Sequence, residues 1–195
     1  MSAQIKVFSG NGLSASFAEL LPRFERAHDC SIEIRYAPAQ VTLREINSGA
    51  TGDLGIFGSS VMDEVVALGK IVPGSIKVLT RNGIGVGVLR GASKPDLSSV
   101  DAFKRMLLAA KSVAYTTDGA SGIYFAGLID RLGIGNEIRA KAKTRSGGLI
   151  AEFVVSGDAE IAVQQTPEIM AVAGVDYAGP LPEEVQSISV NRGGI

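Results

Sequence analysis

Ile5-Lys6-Val7-Phe8-Ser9-Gly10-Asn11-Gly12-Leu13 runs from a strand-like segment through a small-residue turn into a helix pattern. The four residues before Ser9 are rich in β-formers, while Phe17, Leu20, Leu21 and Phe24 recur at the spacing of one face of a helix over residues 13–27. The same hand-over returns at Gly119-Ala120-Ser121-Gly122 before Ile123, and at Ser146-Gly147-Gly148 before Leu149. A turn of this kind leaves the first N–H groups of the helix unpaired, lets a ligand approach the backbone, and presents the positive end of the helix dipole. Its recurrence predicts a cleft that holds a small anion.

The rest of the chain repeats the alternation. Strand patterns over 31–36 and 54–57 and helices over 42–47 and 62–68 complete a β-α-β-α-β-α order, which implies a largely parallel sheet with helices on both faces. After a break come strand-like runs at 76–79 and 84–89, and the Lys94-Pro95-Asp96 turn before a helix over 100–110. A strand over 112–115, helices over 123–132 and 149–155, and a buried strand at 161–163 follow. The fold class is therefore α/β, with two Rossmann-like lobes and a ligand cleft between them. Residues 1–80 with 176–195 form the first lobe and residues 81–175 the second. The tail from Tyr177 to Val190 reads as a strand returning to the first lobe.

Composition narrows the function classes. The 195 residues are 46% apolar, enough for a sizeable core, and 19 basic against 20 acidic residues give a net charge of −1. The basic residues are scattered, so no nucleic-acid footprint is visible. No apolar run approaches the roughly 18 residues that cross a bilayer, which predicts no direct membrane insertion. Cys30 is the only cysteine and rules out an internal disulfide. Met1 to Val7 goes straight into a strand pattern without the basic and apolar regions of a secretory signal.

Gly10-Asn11-Gly12-Leu13-Ser14-Ala15 fits the dinucleotide fingerprint G-x-G-x-x-G/A, with Glu33 near the place of a ribose-binding acid. Glu33 falls inside the second strand rather than at its C-terminal end, so that context fails and no cofactor is expected. His28-Asp29-Cys30 could suggest a metal or thiol site, yet it reads as the end of the first helix and the start of the second strand. No metal ligands and no diagnostic catalytic residues are assigned. Gln164-Gln165-Thr166 follows the strand 161–163, where two amides could donate to a carboxylate while staying neutral. Arg44, Arg81 and Arg145 are candidate counter-charges.

Several of these segments together resemble the molybdate-binding type of periplasmic solute-binding protein. They are the opening strand and turn, Asn47-Ser48-Gly49-Ala50-Thr51-Gly52-Asp53-Leu54, Gly119 to Tyr124, Gly157-Asp158-Ala159-Glu160-Ile161-Ala162-Val163, and Gly174-Val175 through Gly179-Pro180-Leu181-Pro182-Glu183-Glu184. The resemblance covers nearly the whole chain in order. It implies two α/β lobes closing on a small anion, a periplasmic location, and a membrane component of an ABC transporter as partner. The absent signal pattern leaves the cytoplasm as the alternative.

The candidate ligand contacts are Ser9, Gly10, Asn11, Gly12, Ala39, Gln40, Ser121, Gly122, Gly147, Gln164 and Gln165, of which the resemblance implies Gly12, Ala39 or Gln40, Ser121, Gly147 and Gln165. Molybdate binders of this type use serine hydroxyls in the first two cleft loops, where this chain has Gly12 and Ala39 or Gln40, and a tyrosine where it has Gln165. Fewer hydroxyl donors leave a tetrahedral oxyanion under-coordinated. An organic di- or tricarboxylate is the expected solute, ahead of molybdate. The family's relatives include an aconitate isomerase, so proton transfer on the same scaffold is the alternative, with Asp118, Glu152, Tyr124 or Tyr115 as bases. Family members usually continue into C-terminal helices past the strand matched at 187–190. Ending at Ile195 therefore predicts homo-oligomerisation or a loosely packed first lobe.

Overall fold

The computed structural model describes residues 3–10, 13–37 and 39–195. Two compact units divide the chain, Met1–Arg81 with Ser189–Ile195 and Asn82–Ile188.

Unit 1 begins with β1 (Ala3–Ser9), α1 (Ser14–His28), β2 (Cys30–Tyr36), α2 (Ala39–Asn47), β3 (Leu54–Gly58) and α3 (Ser59–Ala67). β1 pairs in parallel with both β2 and β3, with Val7 opposite Ile34 and Leu54. β9 (Ile188–Gly194) closes the sheet antiparallel to β3, giving the order β2-β1-β3-β9. Alternation along the strands splits the core: Val7 and Ile56 pack with Leu13 and Phe17 on one face, whereas Phe8 and Phe57 meet Leu43, Met62 and Val65 on the other. Phe17, Leu21 and Glu25 are the half-buried stripe of α1, while Leu20 and Phe24 are 52% and 44% exposed. The apolar face expected over Phe17 to Phe24 is thus narrower than its sequence spacing suggests, because α1 meets the sheet along a four-residue step. Glu25 Oε1 accepts from Ile32 N at 2.6 Å and ties that stripe to β2. The left-handed Asp29 (φ 47°) ends α1 and Cys30 starts β2, so His28-Asp29-Cys30 is a helix-to-strand junction.

Unit 2 contains most of β4 (Lys77–Leu89), then α4 (Val100–Ala109), β5 (Val113–Thr116), α5 (Ala120–Arg131), α6 (Gly135–Ala140) and β6 (Ala142–Arg145). α7 (Glu152–Val155), β7 (Ile161–Gln165), α8 (Thr166–Met170) and β8 (Val175–Pro180) follow. The strand order is β8-β4-β7-β5-β6. β5 runs parallel to β6 and β7, whereas β4 is antiparallel to β7 and β8. Phe103, Leu107, Phe125 and Ile129 cover one face with Ile161 and Val163; Ile150, Val154 and Ile169 cover the other with Ala114 and Ala162.

Three expectations change. The runs at 76–79 and 84–89 fall in a single strand, β4, which in unit 2 is antiparallel to β7 and β8; the sheet of unit 1 is parallel over β2, β1 and β3, with β9 added antiparallel. The helix expected over 149–155 starts only at Glu152, because residues 149–151 form a turn fastened from β7. Residues 176–188 fall in unit 2 rather than in the first lobe, since β8 is hydrogen-bonded to β4 with Val88 opposite Asp176; the return to unit 1 is made by β9.

Candidate functional site

In unit 1 the first turn is fastened at both sides of β1. Ala37 N donates to Ser9 O at 3.1 Å and Gly10 N to Ile56 O at 3.3 Å, so the ends of β2 and β3 hold the segment that leaves β1. Ser9 is fully buried, and its hydroxyl donates to Gly10 O at 3.1 Å. That hydroxyl is engaged within the turn. Gly10 faces open space where a Cβ would stand. Asn11 and Gly12 lie outside the described residues; Ala39 and Gln40 open α2, with their side chains outside the description.

In unit 2 the two remaining turns lie edge to edge. Thr117 N donates to Arg145 O at 2.9 Å and Asp118 N to Ser146 O at 3.3 Å, which joins the segment after β5 to the one after β6. α5 follows Gly119 with no side-chain cap and no acid in its first turn, so neither a side-chain cap nor a first-turn carboxylate answers its first N–H groups and the positive end of its dipole. Ser121 is 3% exposed there, and its hydroxyl has no hydrogen-bond partner among the described residues. Thr116 Oγ1, buried beside Gly119 and Gly122, also has none. Gly122 has a packing role, because a Cβ at this position would run into the Thr116 carbonyl. Gly147 stands in open space.

Gln164 and Gln165 separate in function. Adjacent strand residues point to opposite faces, so the two amides do not converge on one acceptor. Gln164, 2% exposed, accepts from Ile150 N at 2.9 Å through Oε1 and donates to Gly148 O at 2.8 Å through Nε2. It is the clasp of the Gly147 loop. Gln165 lies opposite Ile84 on β4, is half-buried, and stands immediately before α8 as its N-cap.

The expected bases are otherwise occupied or open to water. Asp118 is exposed and accepts from Thr117 Oγ1 at 2.8 Å. Glu152 pairs with Arg145 at 2.8 Å. Tyr124 donates to Val185 O at 3.1 Å, and the Tyr115 ring is buried edge-on to Phe125. Arg145 also bonds Leu149 O and lies over the Phe153 ring, which makes it a brace for the loop before α7. Arg44 and Arg81 are exposed. Glu33 sits within β2 with its side chain in water, accepting from Gln4 at 3.3 Å.

Glu168 was missed. It lies in the first turn of α8, three residues after the N-cap Gln165, the position from which a carboxylate reaches back to the cap. Burial pushes its carboxyl above the usual range, against hydrogen bonds from the Gln165 backbone and the Gln164 side chain that pull it down. The spacing Gln165-Thr166-Pro167-Glu168 was the available signal; burial was not legible. Among the described residues no cluster of three or more His, Cys, Asp or Glu could hold a metal, and no helix is long and apolar enough to cross a membrane.

The sequence model of the family described as bacterial extracellular solute-binding protein matches residues 5–193. A curated relative, aconitate isomerase from Pseudomonas sp, is 31% identical over 195 residues, covering 97% of this chain and 74% of that protein. Two solved structures are similar in fold. The substrate-binding domain assigned to a molybdenum ABC transporter from Clostridium difficile superposes with a TM-score of 0.78 at 15% identity, over 99% of this chain and 84% of that one. The periplasmic molybdate-binding protein of Azotobacter vinelandii gives 0.70 at 16% identity, over 98% and 84%.

Proposed function

The chain belongs to the bacterial extracellular solute-binding proteins, with the α/β fold of their molybdate-binding type, and we propose that its solute is a small organic carboxylate. The observation that carries the reading is the uncapped start of α5, where the Ser121 hydroxyl has no partner among the described residues and the Gly147 loop is held beside it by Gln164. Main-chain N–H groups with a single hydroxyl suit the two oxygens of a carboxylate. A tetrahedral oxyanion asks for more donors, and the Ser9 hydroxyl is turned to Gly10 O. The relative named aconitate isomerase supports a tricarboxylate. In this reading the protein works outside the cytoplasm and hands its solute to the membrane component of an ABC transporter.

A thermal-shift panel of mono-, di- and tricarboxylates with molybdate, tungstate and sulfate tests it. A ligand at about 100 times its Kd adds about 2.7 kcal/mol to the folded state. One carboxylate should therefore raise Tm by several degrees. A shift with molybdate alone overturns the choice of ligand, and no shift at all overturns binding.

Glu168 favours a second reading, an aconitate-type isomerase. Interconverting cis- and trans-aconitate by an allylic shift takes a proton from the methylene carbon to a base and returns it to the former vinylic carbon, as the double bond moves by one position. A single carboxyl that burial raises above its ordinary value can both accept and return that proton. Proton NMR of cis-aconitate with the purified protein tests it: trans-aconitate should accumulate, and an unchanged spectrum rejects the reading.

A further inference from the structure

Unit 2 has another opening at the opposite end of its strands. It is a pocket of about 670 Å³ walled by α4, the loop over residues 92–96, the end of β4 and the start of β7, within the range that holds small molecules. β7 runs from Ile161 at this opening to Gln165 at the turns described above, four residue steps or about 13 Å. The two places are distinct.

The floor is apolar: Val88, Ala110, Val154 and Ile161 line it, and each is at most 5% exposed. The polar groups lie at the mouth. Arg105 makes no hydrogen bond or ion pair among the described residues. Asp96 Oδ1 accepts from Ser98 N at 2.9 Å, and its carboxyl is held below the usual range by Ser98 first and by the Arg105 charge after it. Glu160 adds a second carboxylate, accepting from Lys111 N at 2.6 Å. Arg105 and Asp96 therefore sense each other across a gap without closing it. An anion alone would meet two carboxylates at this mouth, and a cation alone would leave the guanidinium unmatched. A head group carrying both charges answers both.

We propose that this pocket is a second binding site, for a small zwitterion with an apolar body, the class of the free apolar α-amino acids. The ligand carboxylate pairs with Arg105, its ammonium faces Asp96, and its side chain lies on the Val88–Ile161 floor. This assignment is independent of the solute read at α5.

Titration of the ¹⁵N-labelled full chain with L-phenylalanine tests it, with phenethylamine and 3-phenylpropionate as single-charge probes. Phenylalanine should move the amides around Ala102, Arg105 and Glu160 saturably, and each single-charge probe should bind at least tenfold more weakly. Arg105→Gln should cost tenfold or more. Ala109→Trp, at the rim, should abolish saturation while the free protein keeps its Tm. The proposal is overturned if those amides stay still at millimolar phenylalanine, if a single-charge probe binds equally well, or if Ala109→Trp leaves the titration intact.

Discussion

Gln164 donates from Nε2 to the carbonyl of Gly148 at 2.8 Å while its oxygen accepts from Ile150 N at 2.9 Å, so one buried amide fixes the loop that carries Gly147. Gly148 holds a positive φ of 87°, and the clasp locks a bend that glycine makes accessible. Gln164→Leu keeps the volume but leaves a buried N–H and a carbonyl unpaired. At about 1–3 kcal/mol for each unsatisfied group, the loss should be about 3 kcal/mol. Urea unfolding followed by a probe in unit 2 would show it, and an unchanged midpoint would mean that the loop finds other partners.

Ser121 and Gly122 are neighbours with separable roles. Ser121→Ala removes a hydroxyl that has no partner among the described residues, so the free protein should keep its Tm within about a degree, while affinity for the carboxylate falls about tenfold, the worth of one hydrogen bond to a charged group. Gly122→Ala pushes a methyl into the Thr116 carbonyl and should destabilise the free protein by about 1–3 kcal/mol. Calorimetry of both variants, with and without ligand, separates contact from packing; equal loss of stability in the two would refute the division.

Glu168 gives a pH signature. Its folded pKa lies above the ordinary value of 4.5, so the folded state binds the proton more tightly than the unfolded chain. The contribution to stability is complete below the ordinary value and is lost as pH rises through the raised one. Glu168→Gln retains a neutral side chain at every pH. The Tm of the variant minus that of the wild type should therefore climb as pH increases from about 4 toward neutrality. A flat difference would place Glu168 in an ordinary solvated environment.

Local patterns carried the strand that ends at Ser9, the helix from Ser14 to His28 and the start of α5, because apolar spacing and glycines are read from neighbouring residues alone. β6 escaped because Ala142-Lys143-Thr144-Arg145 is a polar edge strand defined by its backbone pairing with β5. α8 escaped because it is five residues long with Pro167 in its first turn. The roles of Gln164 and Gln165 were half legible: their place at a strand end was visible, yet strand alternation should have sent one amide to the Ile150 side. Glu168 could not be ranked above Asp118, because what distinguishes it is the depth at which α8 packs.

That distinction decides the isomerase reading. Asp118 is exposed and accepts from Thr117, and Glu152 is paired with Arg145, whereas burial raises the Glu168 carboxyl above its ordinary value. If the protein converts cis- to trans-aconitate, Asp118→Asn should keep kcat within a few-fold, whereas Glu168→Gln should lower it by about 10²–10⁴, the usual worth of a positioned base. Tricarboxylate binding by Glu168→Gln should persist, since the variant removes a proton acceptor and leaves the α5 and Gly147 donors in place. Turnover lost in Asp118→Asn but kept in Glu168→Gln would move the chemistry to the segment after β5, where Asp118 stands just before the uncapped start of α5.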